Sequence, residues 1–169
     1  DEPIQKAIVY LRPDEFRTTW LGNKAIYRTR MAMADGGELI IVAPGIMKFG
    51  EDPINDQLIE KYGYLGYKKV GELVEENQDL QENLGVGAHL IHGSSEGRFT
   101  ITYAPGHLTR DQVIGANFNY RPLEDVLKSY NIKELKDGFN DVNGEKVFYV
   151  SNPALGLWAY KDYFYQSEK

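Results

Sequence analysis

The sequence predicts an α/β protein whose largely parallel or mixed sheet is flanked by helices in a Rossmann-like layered domain. Short apolar runs typical of buried strands alternate with segments of helical periodicity. Residues that cap helices stand at the starts of several helical segments. Two strands end alike, in Val42-Ala-Pro-Gly45 and Tyr103-Ala-Pro-Gly106, as expected for two loops on one sheet edge. The alternative is a chance echo of two common breaker sequences.

The first half of the chain predicts two strands and two helices. Residues 7–11 (AIVYL) and 38–43 (ELIIVA) are apolar runs suited to buried strands. Between them, residues 18–34 have a helical pattern that begins at two threonines, and Gly36-Gly37 is predicted to stop that helix. A further helix is expected over residues 52–63, because Asp52-Pro53 is a good N-cap followed by proline at the first helical position.

The second half repeats the alternation. A helix with a solvated acidic face is predicted from about residue 68, and a strand over residues 99–104. Thr109 and Gln112 have the spacing of a capping box, and Pro122 opens another helix. Residues 131–146 are predicted to be loop and turn, and residues 146–150 form the last strand. The aromatic tail is expected to pack onto the body through Trp158, Tyr160 and Phe164.

Composition narrows the class of protein. A chain of 169 residues predicts a single domain over residues 1–169. Its net charge of −6 argues against a general nucleic-acid binder, and the lack of cysteine excludes disulfides and zinc–thiolate sites. No apolar run suits a membrane span and no signal peptide is visible, so we expect a cytoplasmic protein. Because it begins at DEPIQ without Met, we expect a piece of a longer polypeptide or a processed chain.

Residues 93–97, GSSEG, match the G-x-S-x-G nucleophile elbow of serine hydrolases. That elbow requires a strand before the serine and a helix after it. Here a helical or irregular segment comes before Ser95, and the strand comes after it. His107 follows too soon, at the far end of that strand, to complete a triad in the usual order. The context therefore disfavours a serine hydrolase.

The same loop is a candidate anion site. Ser94, Ser95 and Arg98, with neighbouring glycines, could form an anion cradle, and His92 could hydrogen-bond to the ligand. The alternative is a tight turn whose serines cap backbone groups. His89 and His92 could also share a metal on a helix face, but no acidic ligand is paired with them in the sequence.

The segment over residues 18–37 is cationic in an acidic protein. Lys24 and Arg28 stand four residues apart, so they share one face of a helix, where like charges repel unless an anion joins them. This pattern predicts a carboxylate or phosphate clamp near the helix N-terminus. The alternative is two long side chains that reach into solvent.

Several long stretches resemble the C-terminal domain of lactate racemase-like proteins, the family that uses a nickel-pincer nucleotide. They are WLGNKAIYRTRMAMADGGELIIVAPG, FGEDPINDQLIEKYGY, HLIHGSSEGRFTITYAPGHL and SNPALGLWAY. The resemblance covers about residues 7–163 and implies racemisation or epimerisation of 2-hydroxy acids by hydride transfer. It also implies that an N-terminal catalytic domain of the same polypeptide holds the nickel ligands, the cofactor-bonding lysine and the proton-moving histidines.

The resemblance further implies roles for residues of the first helix. In the family this helix presents a Tyr-Gln…Lys pattern to substrate and cofactor. Aligned on Gly36-Gly37, Lys24 takes the lysine position, whereas Trp20 and Leu21 replace the tyrosine and glutamine. The missing glutamine puts lactate itself in doubt as the substrate. We therefore expect a domain that closes over a hydroxy acid and is inactive alone; the alternative is a non-catalytic domain that binds an acidic small molecule.

Overall fold

A six-stranded sheet organises the fold. The computed structural model describes residues 2–166, with side chains described through residue 163. The strands lie in the order β4-β3-β2-β1-β6-β5, and all neighbours are parallel except β5 and β6. They span β1 Ile4–Tyr10, β2 Met33–Ala43, β3 Thr100–Pro105, β4 Asn119–Tyr120, β5 Gly138–Val142 and β6 Glu145–Val150. The predicted α/β class is confirmed.

Short helices connect the strands. Within residues 2–166 they are α1 Thr19–Gly22, α2 Lys24–Tyr27, α3 Pro53–Tyr62, α4 Tyr67–Glu76, α5 Gln78–Gln81, α6 Leu84–His92, α7 Arg110–Gly115, α8 Leu123–Ser129 and α9 Lys161–Gln166. The predicted caps are confirmed: Thr18 accepts the N–H of Leu21, Asp52 caps α3, and Thr109 forms a capping box at α7. None of these helices is long and apolar enough to cross a membrane.

Apolar clusters lie on both faces of the sheet. The larger cluster packs one face against α2 to α7, with Ile26, Ile59 and Leu90 fully buried in it. The smaller cluster lies on the opposite face beneath α8, where Val126 and Tyr130 pack on the strands. Both clusters consist of residues of this chain, so the chain has its own hydrophobic core.

The prediction of a helix over residues 18–34 is wrong beyond Tyr27. The chain instead forms α1 and α2, then turns, and β2 begins at Met33. The Thr29 hydroxyl donates to the Ala25 carbonyl at the end of α2. The N–H of Ile4 in β1 donates to the Ala32 carbonyl, and this bond attaches the segment to the sheet.

Gly36-Gly37 lies inside β2 and ends no helix. The register between β1 and β2 shifts at this level, and Gly36 has a φ of 76°. A Cβ at Gly37 would lie 2.9 Å from the Gln5 carbonyl oxygen and 3.1 Å from that of Ile4. The two glycines therefore permit a bulge and a close approach of the two strands.

The second half of the chain contains two strands that the sequence analysis missed. Residues 131–146, predicted to be loop, include β5, which pairs antiparallel with β6. Asn143 and Gly144 join them with φ values of 53° and 85°. Asn-Gly is the preferred sequence for such a hairpin turn, so the signal was present. The other missed strand, β4, has only two residues.

The aromatic tail around Trp158 and Tyr160 packs beside the residues that follow α2. The N–H of Trp158 donates to the Arg28 carbonyl at 2.9 Å, and that of Tyr160 donates to the Met31 carbonyl at 2.8 Å. Trp158 also packs against the larger apolar cluster. Packing of the tail is confirmed for Trp158, whereas the side chain of Phe164 lies outside the described residues.

The two Ala-Pro-Gly loops are in contact at the carboxyl edge of the sheet. The Gly106 N–H donates to the Ala43 carbonyl at 2.9 Å, and the His107 N–H donates to the Ile46 carbonyl at 3.1 Å. A Cβ at Gly106 would lie 1.9 Å from the Pro44 carbonyl oxygen. The prediction that both loops share one edge is confirmed, and this is the edge where α/β folds bind ligands.

Replacing Gly106→Ala should destabilise the protein by about 2 kcal/mol or more, because the new methyl group would overlap a backbone oxygen that cannot rotate away. Gly71→Ala is the matched control. It lies inside α4 with open space around it, and alanine is the better helix former, so a gain of about 0.5–1 kcal/mol is expected. Urea unfolding followed by circular dichroism measures both, and equal midpoints would contradict the contact between the loops.

Candidate functional site

Helix α1 sits on the carboxyl ends of the central strands. A Cβ at Gly22 would lie 2.9 Å from Leu11, 3.1 Å from Ile46 and 3.4 Å from the Tyr103 hydroxyl oxygen. Leu11 follows β1, Ile46 follows β2 and Tyr103 lies near the end of β3. The N–H of Trp20 also donates to the Phe49 carbonyl at 2.8 Å. These contacts hold α1 at the edge of the sheet where a ligand site is expected.

Lys24 begins α2, one helical turn after Trp20. Its side chain is half-buried, with Nζ 5.9 Å from the centre of the Phe16 ring. No acidic side chain among the described residues forms an ion pair with it. Arg28 differs, because its guanidinium donates to the Gly156 carbonyl at 3.3 Å and so holds the tail. Whether Lys24 and Arg28 hold an anion stays a prediction.

A hydrogen-bonded chain of three side chains lies beside Trp20. The Tyr64 hydroxyl is 2.8 Å from the Thr19 hydroxyl and 2.8 Å from Nε2 of His89. Thr19 in turn donates to the Phe49 carbonyl at 3.1 Å. The His89 ring lies against Trp20, with ring centres 4.2 Å apart. Sequence reasoning missed this cluster, because it weighed His89 only as a metal ligand beside His92.

The imidazole of His89 and the hydroxyl of Tyr64 are both uncharged near physiological pH. Burial, with a smaller contribution from His92, lowers the pKa of His89 to about 4. Burial also raises the pKa of the Tyr64 hydroxyl well above its usual range. His89 therefore offers the site an uncharged imidazole.

The loop after α6 packs beneath this cluster. A Cβ at Gly93 would lie 2.5 Å from Nδ2 of Asn23 and 2.6 Å from the Tyr64 ring, so only glycine fits. Asn23 accepts a hydrogen bond from the Tyr103 hydroxyl, and its buried Nδ2 has no partner among the described residues. The first glycine of the G-x-S-x-G match thus serves packing.

The rest of that loop caps α4 with its own carboxylate. Glu96, with a φ of 53°, accepts the N–H of Tyr67 at 3.0 Å. Ser94 is buried, and its hydroxyl accepts the N–H of Glu96 and donates to the Glu96 carboxylate. Helix α6 precedes Ser95 and strand β3 follows it, so the order of elements that disfavours a hydrolase is confirmed.

Arg98 and His92 have structural contacts in the same region. Arg98 donates to the Asp35 carboxylate at 2.8 Å and to the carbonyls of Arg30 and Met33. His92 is exposed, and its carbonyl accepts from Arg30. Arg98 thus ties the loop to β2. An anion-binding role for Ser94, Ser95, Arg98 or His92 stays a prediction.

A cleft of about 580 Å³ lies at the amino ends of β3 and β4. Its lining includes the start of α4, Ser94 and Ser95, and the first residues of β3 and β4. Tyr64, which is hydrogen-bonded to His89, also lines it, whereas Lys24, Trp20 and His89 do not. Of the predicted site residues, Ser94 and Ser95 therefore line this cleft, whereas Lys24 and Trp20 lie at the carboxyl edge.

These features define an α/β domain with a short helix seated on the carboxyl edge of its sheet. No family model and no curated protein matches the sequence. A Thermotoga maritima crystal structure is similar, with 22% identity and a TM-score of 0.68 over 90% of this chain. The lactate racemase apoprotein from Thermoanaerobacterium thermosaccharolyticum is similar, with 12% identity and a TM-score of 0.59 over 94% of this chain. The chain spans 36% of each of these proteins. It therefore has a lactate-racemase-like fold.

Acidification should destabilise the protein through His89. An unfolded histidine titrates near pH 6.5, whereas the pKa of His89 is lowered to about 4 in the folded protein. The unfolded chain therefore gains a proton first, so stability is full above about pH 6.5 and falls as the pH approaches 4. The loss attributable to His89 is about 3 kcal/mol.

Urea unfolding between pH 7.5 and pH 4 measures this loss. His89→Gln should have a flatter profile than the wild type, because it has no imidazole to protonate. His107→Gln, at an exposed histidine in the loop after β3, should follow the wild type. Parallel profiles for the wild type and His89→Gln would contradict the pKa of His89.

Proposed function

We propose that this chain is the substrate-closing domain of a 2-hydroxy-acid racemase or epimerase that includes further polypeptide. The observation that carries the proposal is Lys24, a half-buried cation with no acidic partner among the described residues, at the start of α2, directly after the helix seated at the carboxyl edge. The fold likeness to lactate racemase supports the reaction class.

Lys24 supplies the electrostatic contact in this proposal. An ammonium group packed near the Phe16 ring is partly removed from water, so its attraction for an anion is stronger than that of an exposed lysine. It holds the substrate carboxylate or an oxyanion that develops during the reaction. Trp20, one turn earlier, offers an apolar wall beside the carboxylate.

The proposed cofactor is the nickel-pincer nucleotide, held by an N-terminal catalytic domain of the same polypeptide. When bound, it supplies an acceptor for the α-carbon hydride. Among the described residues no group of three or more histidine, cysteine or carboxylate side chains could hold a metal, and the sequence has no cysteine. The donors that this chain offers fit the anionic parts of substrate or cofactor, and their role is to bind and orient.

The position of Leu21 bears on the substrate class. Its side chain is 36% exposed on α1, next to Trp20, where the resembling family carries glutamine. An apolar side chain cannot replace the hydrogen bonds of an amide. We therefore propose a hydroxy acid whose own side chain makes apolar contacts here, such as one larger than lactate.

In the complete polypeptide, loaded with cofactor, Lys24→Ala should lower kcat/KM about 100-fold, because a charged contact to a developing anion is lost. Lys24→Arg keeps the charge and should retain more activity. Lys128→Ala is the matched control, since Lys128 is an exposed lysine on α8, which covers the opposite sheet face.

The measurement is interconversion of the D and L forms of a panel of 2-hydroxy acids, followed by chiral chromatography. Turnover in Lys24→Ala equal to that of the wild type would contradict the role of Lys24. Binding of a hydroxy acid without turnover of any panel member would favour the alternative, a non-catalytic domain that binds an acidic small molecule.

A further inference from the structure

We propose that Nδ1 of His89 accepts a hydrogen bond from the hydroxyl group of the bound hydroxy acid, and that Tyr64 and Thr19 hold the imidazole in the tautomer that this requires. The inference rests on the proposed function and deepens it. Lys24 recognises the carboxylate, whereas His89 recognises the neighbouring hydroxyl group, which distinguishes a hydroxy acid from other carboxylic acids.

The direction of the hydrogen-bond chain follows from its last member. The Phe49 carbonyl can only accept a hydrogen bond, so the Thr19 hydroxyl donates its single hydrogen to it. The Tyr64 hydroxyl must then donate to Thr19, because no other hydrogen is available for their 2.8 Å contact. That leaves the contact between Tyr64 and His89 to be made by a hydrogen on Nε2, with Tyr64 as the acceptor.

The other ring nitrogen is therefore a bare acceptor. A neutral imidazole with hydrogen on Nε2 has a lone pair on Nδ1. Nδ1 has no hydrogen-bond partner among the described residues and is not among their buried, unpartnered atoms. Burial of the ring, which lowers the pKa of His89 to about 4, keeps this lone pair free of a proton near neutral pH.

The surroundings of His89 suit a small hydroxy acid. Trp20 packs against the His89 ring, and Lys24 stands one helical turn beyond Trp20. A 2-hydroxy acid carries its hydroxyl and its carboxylate on adjacent carbons. His89 on α6 contacts the Trp20 ring, and Lys24 on α2 follows Trp20 along the chain, so the two residues offer an acceptor and a cation beside the same side chain for these two groups.

The tautomer is tested directly in the 169-residue chain by NMR of nitrogen-15-labelled histidine rings near pH 7. The wild type should show the His89 ring with hydrogen on Nε2 and a bare Nδ1. Tyr64→Phe removes the acceptor for that hydrogen and should shift the ring toward a mixture of tautomers, with His107 as an internal reference. A His89 ring with hydrogen on Nδ1 in the wild type would overturn the inference.

Ligand recognition is tested in the complete polypeptide by calorimetry with matched acids. The pairs are lactate with propionate and mandelate with phenylacetate, which differ by the hydroxyl group. The wild type should bind the hydroxy acid of at least one pair about fivefold more tightly than its partner. His89→Gln places its amide near Nε2 and lacks an acceptor at Nδ1, so the preference should disappear. His89→Asn places an oxygen near Nδ1 and should keep most of it.

The outcomes separate this inference from the proposed function. A preference unchanged in His89→Gln would overturn the inference, while weaker binding of both acids by Lys24→Ala would leave the proposed function standing. Unchanged binding of every acid by Lys24→Ala would instead count against the proposed function. Loss of the preference in His89→Gln but not in His89→Asn supports the role of Nδ1.

Discussion

The buried hydroxyl of Tyr64 is the interaction on which the proposed site depends. Tyr64 is 0% exposed, and a buried hydroxyl without partners would cost several kcal/mol. Its two partners come from different elements, Thr19 from α1 and His89 from α6. Satisfying this one group therefore fixes α1, α6 and the loop after α3 relative to one another. The same contacts determine which imidazole nitrogen remains free, so a stability requirement of the core also sets the chemistry of the surface.

Close contacts made at two glycines build the carboxyl edge. Gly22 lets α1 rest on Leu11 and Ile46, and Gly106 lets one Ala-Pro-Gly loop touch the other. A side chain at Gly106 would overlap the Pro44 backbone, and one at Gly22 would have to displace the buried side chains of Leu11 and Ile46. A surface held by such contacts has little room to shift, which suits the proposed role of orienting a small acid.

The cleft of about 580 Å³ and the proposed site adjoin at Tyr64, which lines the cleft and is hydrogen-bonded to His89. The cleft is next to the N-terminus of α4, where Glu96 already supplies a carboxylate to the free N–H of Tyr67. By contrast, Lys24 at the carboxyl edge has no acidic partner among the described residues. Lys68 in the cleft also has no ion pair among the described residues, but it is exposed, whereas Lys24 is half-buried and therefore attracts an anion more strongly, which favours the carboxyl edge.

The sequence by itself determined the features that depend on neighbouring residues in the chain. These are the alternation of strands and helices, the caps at Thr18, Asp52 and Thr109, and the two Ala-Pro-Gly loops. The Asn143-Gly144 hairpin was also within reach of the sequence. Only the tertiary structure decided the end of α2 at Tyr27, because strand pairing with β1 outweighed the helical pattern of residues 28–34. It alone also joined His89 to Tyr64, 25 positions away, and Tyr64 to Thr19, 45 positions away, because packing of separate elements creates those contacts and no local pattern encodes them.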